Sequence, residues 1–592
     1  MRQLLSIVLA LSPALAHNGA ELFEKNCAGC HKPGSPSRAP LPESLRKLSR
    51  QAIAASLLTG KMLLQAASLS VEEREAIADY LAVNQSDQAS GGRCASAMEP
   101  LKNLDGWQGW SIDVTNRRFQ PAAGAGLDAA GVKSLKLQWA FGYPAAITAY
   151  GQPSLAGGAV FVGSDSGTVY ALDARTGCTW WTFHAGATVR TAISLGPYGK
   201  DRHAAYFGDG HSTVYAVDAQ SGALLWKKRV EEHALTGITG TPKLYQGRLY
   251  VPVSAGVEEF AATNPKYACC TARGSVVALD AETGRQIWKT YTISDPPGPT
   301  RMSKEGVQLM GPSGVSVWSS PTIDTRRKVL YVGTGNDHSE PETRYSDGVI
   351  ALDLETGSML WVKQLSADDR WNVACVNPDS ANCPSKPGGD HDVGSSPILI
   401  ESKGGKRILL VGQKSGMMSA LDPDAKGNIL WQTRVGKGGV LGGILWGSAA
   451  DDQNVYVPLS DWDMMNPAAG GGMFALRAAT GEKIWYTPPS KPACAGQSGC
   501  TPTQMAPATV IPGVVFSGGM DGHLRAYSTS DGAVIWDYDT VRDFETVNGV
   551  KARGGSLGST GAIVSGGMLL VNSGYAQIGG MPGNVLLAFG AH

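Results

Sequence analysis

From about residue 130 onward, short apolar runs alternate with tight polar turns. The clearest unit is ALDAETGRQIW at 278–288, in which an apolar run, an Asp-containing turn ending in Gly, and a second run ending in Trp follow one another. The Asp and Thr side chains can hydrogen-bond the turn backbone, and Gly can adopt the positive φ that the turn requires. The pattern therefore predicts a β-hairpin that buries a Trp between two sheets.

This unit recurs six more times, as ALDARTGCTWW (171–181), AVDAQSGALLW (216–226), ALDLETGSMLW (351–361), ALDPDAKGNILW (420–431), ALRAATGEKIW (475–485) and AYSTSDGAVIW (526–536). Successive Trp residues lie 45–73 residues apart, which accommodates a four-stranded blade of about 40–50 residues plus loops. An eighth copy is divided between LKLQW at 135–139 and VLLAF at 585–589. We therefore predict an all-β, eight-bladed β-propeller at 107–592, closed by its two ends. The alternative is an open β-solenoid, which the divided repeat disfavours.

Residues 17–83 show a helical pattern instead. A short helix is predicted over Ala20–Lys25, and an amphipathic helix over Val71–Leu81, with Ser70 as its N-cap and Glu72 and Glu73 in its first turn. These features predict a small all-α domain at 17–83. The polar, Gly- and Ser-rich stretch that follows predicts a linker at 84–106.

The chain's composition fits an exported, turn-rich protein. Its 592 residues include 75 Gly and 15 Trp, and 51 basic residues balance 51 acidic ones, so nothing indicates binding to nucleic acid or to an anionic membrane. Arg2, the apolar run at 4–11 and the small-residue exit at 14–16 predict a signal peptide at 1–16. No later apolar run is long enough to span a bilayer, so we expect a periplasmic protein without a transmembrane segment.

Ten cysteines are consistent with an oxidising compartment. Two of them belong to a CxxCH motif, and the remaining eight pair by proximity as Cys269 with Cys270, Cys375 with Cys383, and Cys494 with Cys500, which leaves Cys94 for Cys178. The sequence does not fix this connectivity.

The motif Cys27-Ala-Gly-Cys30-His31 predicts a covalently attached haem c. The two thiols would form thioethers, and His31 would bind the iron. Met62 is the candidate for the second axial ligand, and the order of CxxCH, Met and final helix resembles small class I c-type cytochromes. The alternatives are a redox or metal-binding CxxC, and a core packing role for Met62.

From about residue 110 the chain resembles the quinoprotein alcohol dehydrogenases, which are eight-bladed propellers holding pyrroloquinoline quinone (PQQ) and Ca²⁺ on the ring axis. The segments that carry the resemblance include YACC at 267–270, NGV at 548–550 and PGNVLL at 582–587. Together with the N-terminal haem motif, they are most similar to the branch that oxidises secondary hydroxyl groups of a polymer to ketones. The resemblance implies electron transfer from PQQ to haem c and on to an external cytochrome c or blue-copper acceptor.

The resemblance also implies a set of cofactor contacts. Trp318 would form the floor under the quinone ring, and Arg190 and Lys414 would contact its carboxylates and a ring oxygen. Thr239 or Thr241 would supply a hydroxyl contact, and Trp446 would lie nearby. A Cys269–Cys270 disulfide would stack on the other face of the quinone, although in several relatives this pair lies in an earlier loop.

For the metal, the resemblance implies Asn336 as one Ca²⁺ ligand, since a hard cation prefers oxygen donors. Glu258 is the matching acidic ligand, but Glu259 follows it directly, so the choice between them is open. Asn336 could otherwise be an ordinary turn residue.

The general base is where the chain departs from the family. The family places an Asp directly after a Trp in this region, whereas here Asn372 follows Trp371. Because Asn cannot accept a proton from an alcohol at neutral pH, another carboxylate is needed. Asp392 is the first candidate, followed by Asp390 and Asp369. Alternatively, these residues only cap turns.

The implied function is thus a haem-containing quinoprotein alcohol dehydrogenase. Within that class, another small alcohol or a polyol is the alternative substrate. A different class of protein, an exported propeller scaffold that binds other proteins and carries a haem, would need none of the central residues. The missing Asp after Trp371 is the observation that favours the scaffold.

Overall fold

The computed structural model describes residues 18–35, 39–58, 62–63, 65–82, 91–402, 404–463, 465–466, 468–494 and 496–591. The predicted signal peptide lies outside these residues, as does the first part of the predicted linker. The described chain forms a small helical domain followed by a ring of eight antiparallel β-sheets. The predicted combination of an all-α domain and an eight-bladed propeller is therefore confirmed.

Four helices form the N-terminal domain: α1 Gly19–Asn26, α2 Pro42–Leu45, α3 Arg50–Leu58 and α4 Val71–Leu81. Helix α4 starts at a capping box, in which the Ser70 hydroxyl accepts the Glu73 N–H and the Glu73 carboxylate accepts the Ser70 N–H. The apolar faces of α1, α3 and α4 enclose a core that includes Phe23, Leu57 and Ile77. The two predicted helices are present, and α2 and α3 are additional.

Each blade of the propeller contains one copy of the repeat as its outer two strands. The strands, blade by blade, are: β1 Gly106–Trp107, β3 Ser154–Ala156, β4 Ala159–Gly163, β5 Thr168–Asp173 and β6 Thr179–His184 (blade 1); β7 Ser194–Tyr198, β8 Arg202–Gly208, β9 Thr213–Asp218 and β10 Leu224–Arg229 (blade 2); β11 Lys243–Tyr245, β12 Arg248–Val253, β13 Ser275–Asp280 and β14 Gln286–Tyr291 (blade 3); β17 Thr322–Asp324, β18 Val329–Gly333, β19 Gly348–Asp353 and β20 Met359–Gln364 (blade 4); β21 Ile398–Glu401, β22 Arg407–Gly412, β23 Met417–Asp422 and β24 Asn428–Arg434 (blade 5); β25 Ala449–Ala450, β26 Asn454–Pro458, β27 Met473–Arg477 and β28 Lys483–Thr487 (blade 6); β29 Thr509–Ile511, β30 Val514–Gly518, β31 His523–Ser528 and β32 Val534–Asp539 (blade 7); β35 Ile563–Ser565, β36 Met568–Ser573, β37 Val585–Ala591 and β2 Leu135–Gly142 (blade 8).

Shorter elements lie in the connections. They are the hairpins β15 Gly298–Met302 with β16 Gln308–Gly311 and β33 Asp543–Phe544 with β34 Ala552–Arg553, the helices α5 Ala122–Ala125, α6 Ala129–Lys133 and α7 Gly256–Ala261, and the 3-10 turns Val373–Val376, Pro423–Ala425 and Gln577–Gly579.

Blade 8 closes the ring with strands from both ends of the propeller. Strand β2 pairs antiparallel with β37, from Leu135 opposite Ala591 to Gly142 opposite Val585. No free sheet edge is left between the first and last blades, because the chain ends supply complementary parts of one sheet. The predicted closure by the divided repeat is confirmed.

The Trp of each repeat joins its blade to the next one. The Trp226 indole N–H donates to the carbonyl oxygen of Ala281 at 3.0 Å, and its ring lies against Gly284, whose φ is +70°. A Cβ at Gly284 would lie 2.7 Å from the ring. The same contact recurs for Trp139 with Gly177, Trp181 with Gly222, Trp288 with Gly357, Trp361 with Gly427, Trp431 with Gly481, and Trp485 with Gly532. The Gly therefore serves both the turn and the interface between blades.

This contact makes Gly284→Ala a strongly destabilising change. We expect it to lower the free energy of unfolding by about 2–4 kcal/mol, since an Ala at positive φ is strained and its Cβ overlaps the Trp226 ring. Gly247→Ala is the matched control, because Gly247 has φ +73° in the same blade and a Cβ there would meet nothing within 4 Å in the described chain. Thermal denaturation of both variants measures the difference. Equal losses would show that the Trp contact contributes nothing.

Residues 107–120 cross one end of the ring and contact its inner strands. The backbone carbonyls of Val114, Thr115, Arg117 and Arg118 accept N–H groups from blades 4, 5, 6 and 7 in turn. The fully buried Arg118 guanidinium donates to the carbonyl of Ala508 at 2.7 Å and to further oxygens of blades 7 and 8. We call residues 107–120 the plug. It leaves the opposite end of the axis for ligand access.

Candidate functional site on the propeller axis

A cavity of about 730 Å³ lies on the ring axis, on the other side of Trp318 from the plug. Loops from the inner strands of several blades converge on it. The residues predicted to hold a quinone, a metal or a base that line this cavity are Arg190, Thr239, Trp318, Asn336, Asp390, Asp392, Lys414 and Trp446. They are distant in sequence, and the ring brings them together.

Trp318 provides a flat aromatic surface in the cavity. Gly394 and Gly335 pack against its indole, and a Cβ on Gly394 would overlap the six-membered ring. Trp446 meets Trp318 edge-on, with ring centroids 5.0 Å apart. Because the two glycines leave room for Trp318 to lie close to the backbone, the ring is held as a platform on which a planar group can rest.

A cation and two orphaned donors lie beside this platform. The Arg190 guanidinium carbon lies 4.6 Å from the centroid of the Trp446 ring and 5.5 Å from that of Tyr150. Among the described residues, the buried Thr239 hydroxyl and the Trp446 indole N–H have no hydrogen-bond partner. Buried polar atoms are rarely left unpaired, so these two indicate a polar ligand. Thr241, the alternative to Thr239, instead accepts the N–H of Ala192 at 3.0 Å.

Lys414 lies between two carboxylates at the cavity wall. Its ammonium group is 2.8 Å from Asp390 Oδ1 and 2.8 Å from Asp392 Oδ2. Burial opposes the charge of Lys414, but the two carboxylates outweigh it and raise its pKa. Burial raises the pKa of Asp390 well above its usual range, and Lys414 offsets only part of that rise. Lys414 therefore stays protonated, and it holds Asp390 and Asp392 side by side at the cavity wall.

Oxygen donors suited to a metal lie next to Asp392. The Asn336 backbone N–H donates to Asp392 Oδ1 at 2.7 Å, and its side-chain amide donates to the Trp371 carbonyl at 2.6 Å, which leaves Asn336 Oδ1 without a donor among the described residues. Glu259 lines the same cavity, and burial followed by the charge of Asp392 raises its pKa to about 8. A bound cation would favour the ionised form of Glu259. Asn336 and Glu259 are thus the pair that could hold a metal.

Glu258, the first of the two predicted acidic metal ligands, does not line the cavity, and this corrects that prediction. Its carboxylate is fully buried and accepts the Tyr267 hydroxyl at 2.6 Å and the N–H groups of Thr271 and Ala272 at 2.7 and 2.6 Å. Adjacent residues on helix α7 point about 100° apart, so only one of the two acids can face the cavity. Glu258 instead anchors α7 to the loop that follows it.

Asn372, which stands where the family has an Asp, is a structural residue. It is fully buried, its side-chain amide donates to the carbonyls of His338 and Asn382 at 2.9 Å each, and its Oδ1 accepts the Ala374 N–H at 3.0 Å. These bonds cap the 3-10 turn Val373–Val376. The site of the expected base is therefore occupied by a turn cap.

Asp369, the third candidate base, does not line the cavity. Its carboxylate accepts the backbone N–H groups of Asp390 at 3.0 Å and His391 at 2.5 Å. Asp390 has a φ of +56°, so this turn needs such support. Asp369 holds in place the loop that presents Asp390, and it lies outside the reacting space.

The Cys269–Cys270 disulfide forms as expected, together with Cys94–Cys178, Cys375–Cys383 and Cys494–Cys500. Its predicted position against the quinone is not borne out by the geometry, because the pair is buried at 2% and 0% exposure and is not among the residues lining the cavity. It packs with Tyr267, Ala262 and Ala374 instead. The disulfide lies in the loop after α7, and it is buried against α7 and the turn at 373–376.

The CxxCH motif begins at the C-terminal end of helix α1. Cys27 and Cys30 are the cysteines left as thiols within the described residues. His31 is buried, and its Nδ1 lies 2.7 Å from the carbonyl oxygen of Pro40, which leaves Nε2 for a metal. The buried Arg74 donates to the carbonyls of Ala66 and Leu69 at 3.1 Å each and so fixes the segment after Met62.

The haem region and the axial cavity are continuous. Met62 and the α3 residues Ala54, Ala55 and Leu58 line the same cavity as Trp318. Helix α3 packs on α7, and the Ser49 N–H donates to the carbonyl of Ala145 at 3.1 Å. Residues of both sites line one cavity, so groups bound there would share that space.

Two features of the site had no counterpart in the sequence analysis. His338 lines the cavity with its Nε2 3.8 Å from Glu259, and burial lowers its pKa to about 4. Tyr575 lies 6.5 Å from Trp446, centroid to centroid. Nothing in the sequence distinguishes this His from a core residue. Tyr575 comes just after the second strand of its blade, so aligning the blades could have identified it.

Asp165, at the axial turn of blade 1, gives the site a pH-dependent neighbour. Burial raises the pKa of Asp165 to about 7, and its Oδ1 has no partner in the described chain. The folded state therefore holds a proton that the unfolded state releases, and stability falls by up to about 1.4 kcal/mol per pH unit as the pH rises from about 4 to 7. We expect Asp165→Asn to remove this slope, measured as melting temperature from pH 5 to 8. Parallel curves for the two proteins would contradict it.

Two kinds of feature are absent from the described residues. No group of three or more His, Cys, Asp or Glu side chains there is arranged to hold a metal ion. No helix in the described part of the chain is long and apolar enough to cross a membrane.

Comparisons with known proteins agree with this architecture. Residues 107–380 match the β-propeller domain of glucose, ethanol and alcohol dehydrogenases that use PQQ, and residues 14–81 match subunit III of cbb3-type cytochrome c oxidase. Residues 414–574 match the outer membrane protein assembly factor BamB.

Full-length relatives are also found. A polyvinylalcohol dehydrogenase of Pseudomonas sp. is 40% identical over 97% of this chain and 93% of its own length. A polyvinylalcohol dehydrogenase of Sphingopyxis sp. is 38% identical over 98% of this chain and 93% of its own. The solved quinohemoprotein alcohol dehydrogenase of Comamonas testosteroni, at 19% identity, superposes with a TM-score of 0.58 over 82% of this chain and 80% of its own, a likeness of fold.

Proposed function

Since the chain belongs to the polyvinyl alcohol dehydrogenase family of PQQ-dependent alcohol dehydrogenases, we propose that it oxidises secondary alcohol groups of polyvinyl alcohol to ketones in the periplasm. The electrons would leave through haem c to an external cytochrome or blue-copper protein. The observation that carries this proposal is the single cavity, lined both by the Trp318 platform and by Met62 of the cytochrome domain.

PQQ is a planar tricarboxylate, and the residues around Trp318 fit it. The ring would rest on Trp318, while Arg190, the orphaned Thr239 hydroxyl and the orphaned Trp446 N–H would bind its polar edge. When bound, PQQ supplies the two-electron acceptor for the alcohol and returns these electrons singly to haem. The protein contributes orientation and charge.

Ca²⁺ is the metal that suits the oxygen donors beside the platform. We propose Asn336 Oδ1 and Glu259 as its protein ligands, in place of Glu258. Three carboxylates and one ammonium meet here, in Glu259, Asp390, Asp392 and Lys414. A bound divalent cation would favour the ionised forms of these acids and, with all four groups ionised, its two positive charges would balance them.

Asp392 is the proposed general base. It lies between Asn336 and Lys414, so its carboxylate adjoins both the metal ligands and the cation. It would take the hydroxyl proton of the alcohol, and Lys414 would hold the carboxylate in place during that transfer. Asp390 is the second candidate, since it shares Lys414. We propose Asp369 as a residue that positions the loop.

Haem c would be held by Cys27, Cys30 and His31, with Met62 as the second axial ligand. A His and Met pair favours a high reduction potential, as an electron acceptor requires. Because Met62 lines the axial cavity, the haem would lie beside the quinone site.

Polyvinyl alcohol is favoured over a small alcohol or polyol because the relatives at 40% and 38% identity over nearly the whole chain carry that name.

Anaerobic visible spectroscopy tests both the dehydrogenase activity and the choice of substrate. The full-length haem protein, loaded with PQQ and Ca²⁺, is mixed with polyvinyl alcohol or with propan-2-ol. We expect PQQ-dependent haem reduction, faster with the polymer. Haem that stays oxidised with both alcohols would overturn the proposal, and faster reduction by propan-2-ol would reassign the substrate.

A further inference from the structure

The cytochrome domain has its described contacts with the ring on one side of the cavity mouth. It contacts the ring at Ala145, between blades 8 and 1, and at α7, in blade 3. Consecutive blades are neighbours around the ring, as contacts between their inner strands confirm. Blades 5 to 7 therefore lie across the axis from the blades under the cytochrome. We expect a substrate to enter on that side, which we call the uncovered side.

The uncovered side of the cavity carries an uncharged, mainly apolar edge. Its lining residues there are Val440 and Leu441 between blades 5 and 6 and Ser498 between blades 6 and 7. The edge continues from blade 7 to the adjacent blade 8, where Gln577 and Ile578 line the cavity. We call these five residues the lip. Val440, Gln577 and Ile578 are partly exposed and Ser498 is exposed, so a molecule in the mouth can touch them. The covered side, by contrast, brings the charged Arg50 and Glu75 to the cavity.

Resting on the function proposed above, we propose that the lip binds the chain of a polymeric secondary alcohol on either side of the carbinol being oxidised. Such a polymer alternates methylene and carbinol carbons and has no charge. Methylene groups would pack on Val440, Leu441 and Ile578, and neighbouring hydroxyls would hydrogen-bond Ser498 and Gln577. A monomeric alcohol has no chain to lay on the lip, so the lip selects for polymer.

Two features give the lip a fixed shape. The Asp461 carboxylate accepts the N–H groups of Lys437, Gly438 and Gly443 at 2.6, 3.0 and 2.7 Å, which holds the loop that carries Val440 and Leu441. Trp462 packs in one apolar cluster with Ile578, Leu445 and Trp446. The lip is thereby joined to the wall of the quinone site, and Asp392 lines the same cavity.

Ile578 is the best position for a test because its φ is +51°, a conformation that Asn adopts readily and Ile does not. Ile578→Asn removes apolar surface without straining the backbone. We would combine it with Val440→Ser. The matched control is Leu224→Asn, since Leu224 is 47% exposed on the outer strand of blade 2 and lies outside the cavity lining.

We would measure kcat/KM for polyvinyl alcohol and for propan-2-ol, and the binding of end-labelled polymer to the haem protein by fluorescence anisotropy. The double variant is expected to lower the ratio of polymer to propan-2-ol kcat/KM about 10-fold, with a matching loss of polymer binding. The control is expected to leave both unchanged. Retention of the folded state is checked by the haem spectrum and the melting temperature.

An unchanged ratio and unchanged polymer binding in the double variant would overturn the proposal. An equal loss for both alcohols would also overturn it, since the lip would then support the cofactor site instead of the polymer. If the unsubstituted protein oxidises neither alcohol, the proposed function fails. Even then, the anisotropy measurement decides separately whether the lip binds polymer.

Discussion

Replacing Asp392 with Asn is expected to slow haem reduction by alcohol by about 10²–10⁴-fold, while haem content and PQQ binding stay intact. Asn has the same shape as Asp, and its amide oxygen can still accept the Asn336 N–H, which lies 2.7 Å from the carboxylate. It cannot take a proton from an alcohol. Lys414 loses its contact with Asp392 Oδ2, because the Asn amide nitrogen would replace that oxygen, but it keeps Asp390 as an ion-pair partner. The loss should therefore fall on the chemical step.

Single-turnover mixing of alcohol with the PQQ-loaded protein, followed by haem absorbance, measures this step, and Trp fluorescence quenching measures PQQ binding. Asp390→Asn is the matched comparison, because Asp390 also contacts Lys414 at 2.8 Å and also lines the cavity. It should slow the reaction far less. A normal rate in Asp392→Asn with a large loss in Asp390→Asn would move the base to Asp390.

Replacing both haem-linking cysteines, Cys27→Ser with Cys30→Ser, is expected to abolish electron delivery to an acceptor protein. The thioether links would be lost, and with them the haem in the cavity shared with Trp318. Oxidation of alcohol coupled to a small redox dye should persist, because the quinone residues belong to the propeller. Haem staining after denaturation, acceptor reduction and dye reduction give the three readouts.

A matched control for this change exists in the same chain. Cys94→Ser with Cys178→Ser removes a disulfide that joins residue 94 to blade 1, and neither cysteine is among the residues lining the cavity. It should leave covalent haem and acceptor reduction in place and lower only the stability, by about 2–4 kcal/mol. If the haem-free protein still reduced the acceptor at the normal rate, the proposed route through haem c would be wrong.

The propeller could be predicted because one local rule is repeated. In each copy the Gly ends a turn and also receives the Trp of the neighbouring blade, so the pattern records the packing between blades as well as the hairpin. Comparison among copies extends this reading to the site. Lys414 in GQKSG occupies the position that Asp165 holds in GSDSG, so a cation replaces an acid at the axial turn of blade 5.

The sequence could not predict the direction in which individual side chains of the site face. Glu258 and Glu259 are adjacent and chemically alike, and only the rotation of α7, fixed by the bonds of Glu258 to the 271–272 backbone, decides which acid meets the cavity. The Cys269–Cys270 pair was predicted correctly as a bond. Its place behind α7 depends on loop packing that spans three blades. His338 belongs to no recognisable motif, because only the folded chain places it beside Glu259.

The pairing of β2 with β37 also determines when the ring can close during folding. Strand β37 ends at residue 591, so blade 8 lacks its third strand until the last part of the chain has left the ribosome. Until β37 is available, the ring of blades stays open, and the edge of β2 that pairs with β37 is unpaired. Contacts this far apart in sequence form slowly. Blade 8 can thus close only after β37 has been made, and truncation before β37 would leave β2 with an unpaired edge that is prone to aggregation.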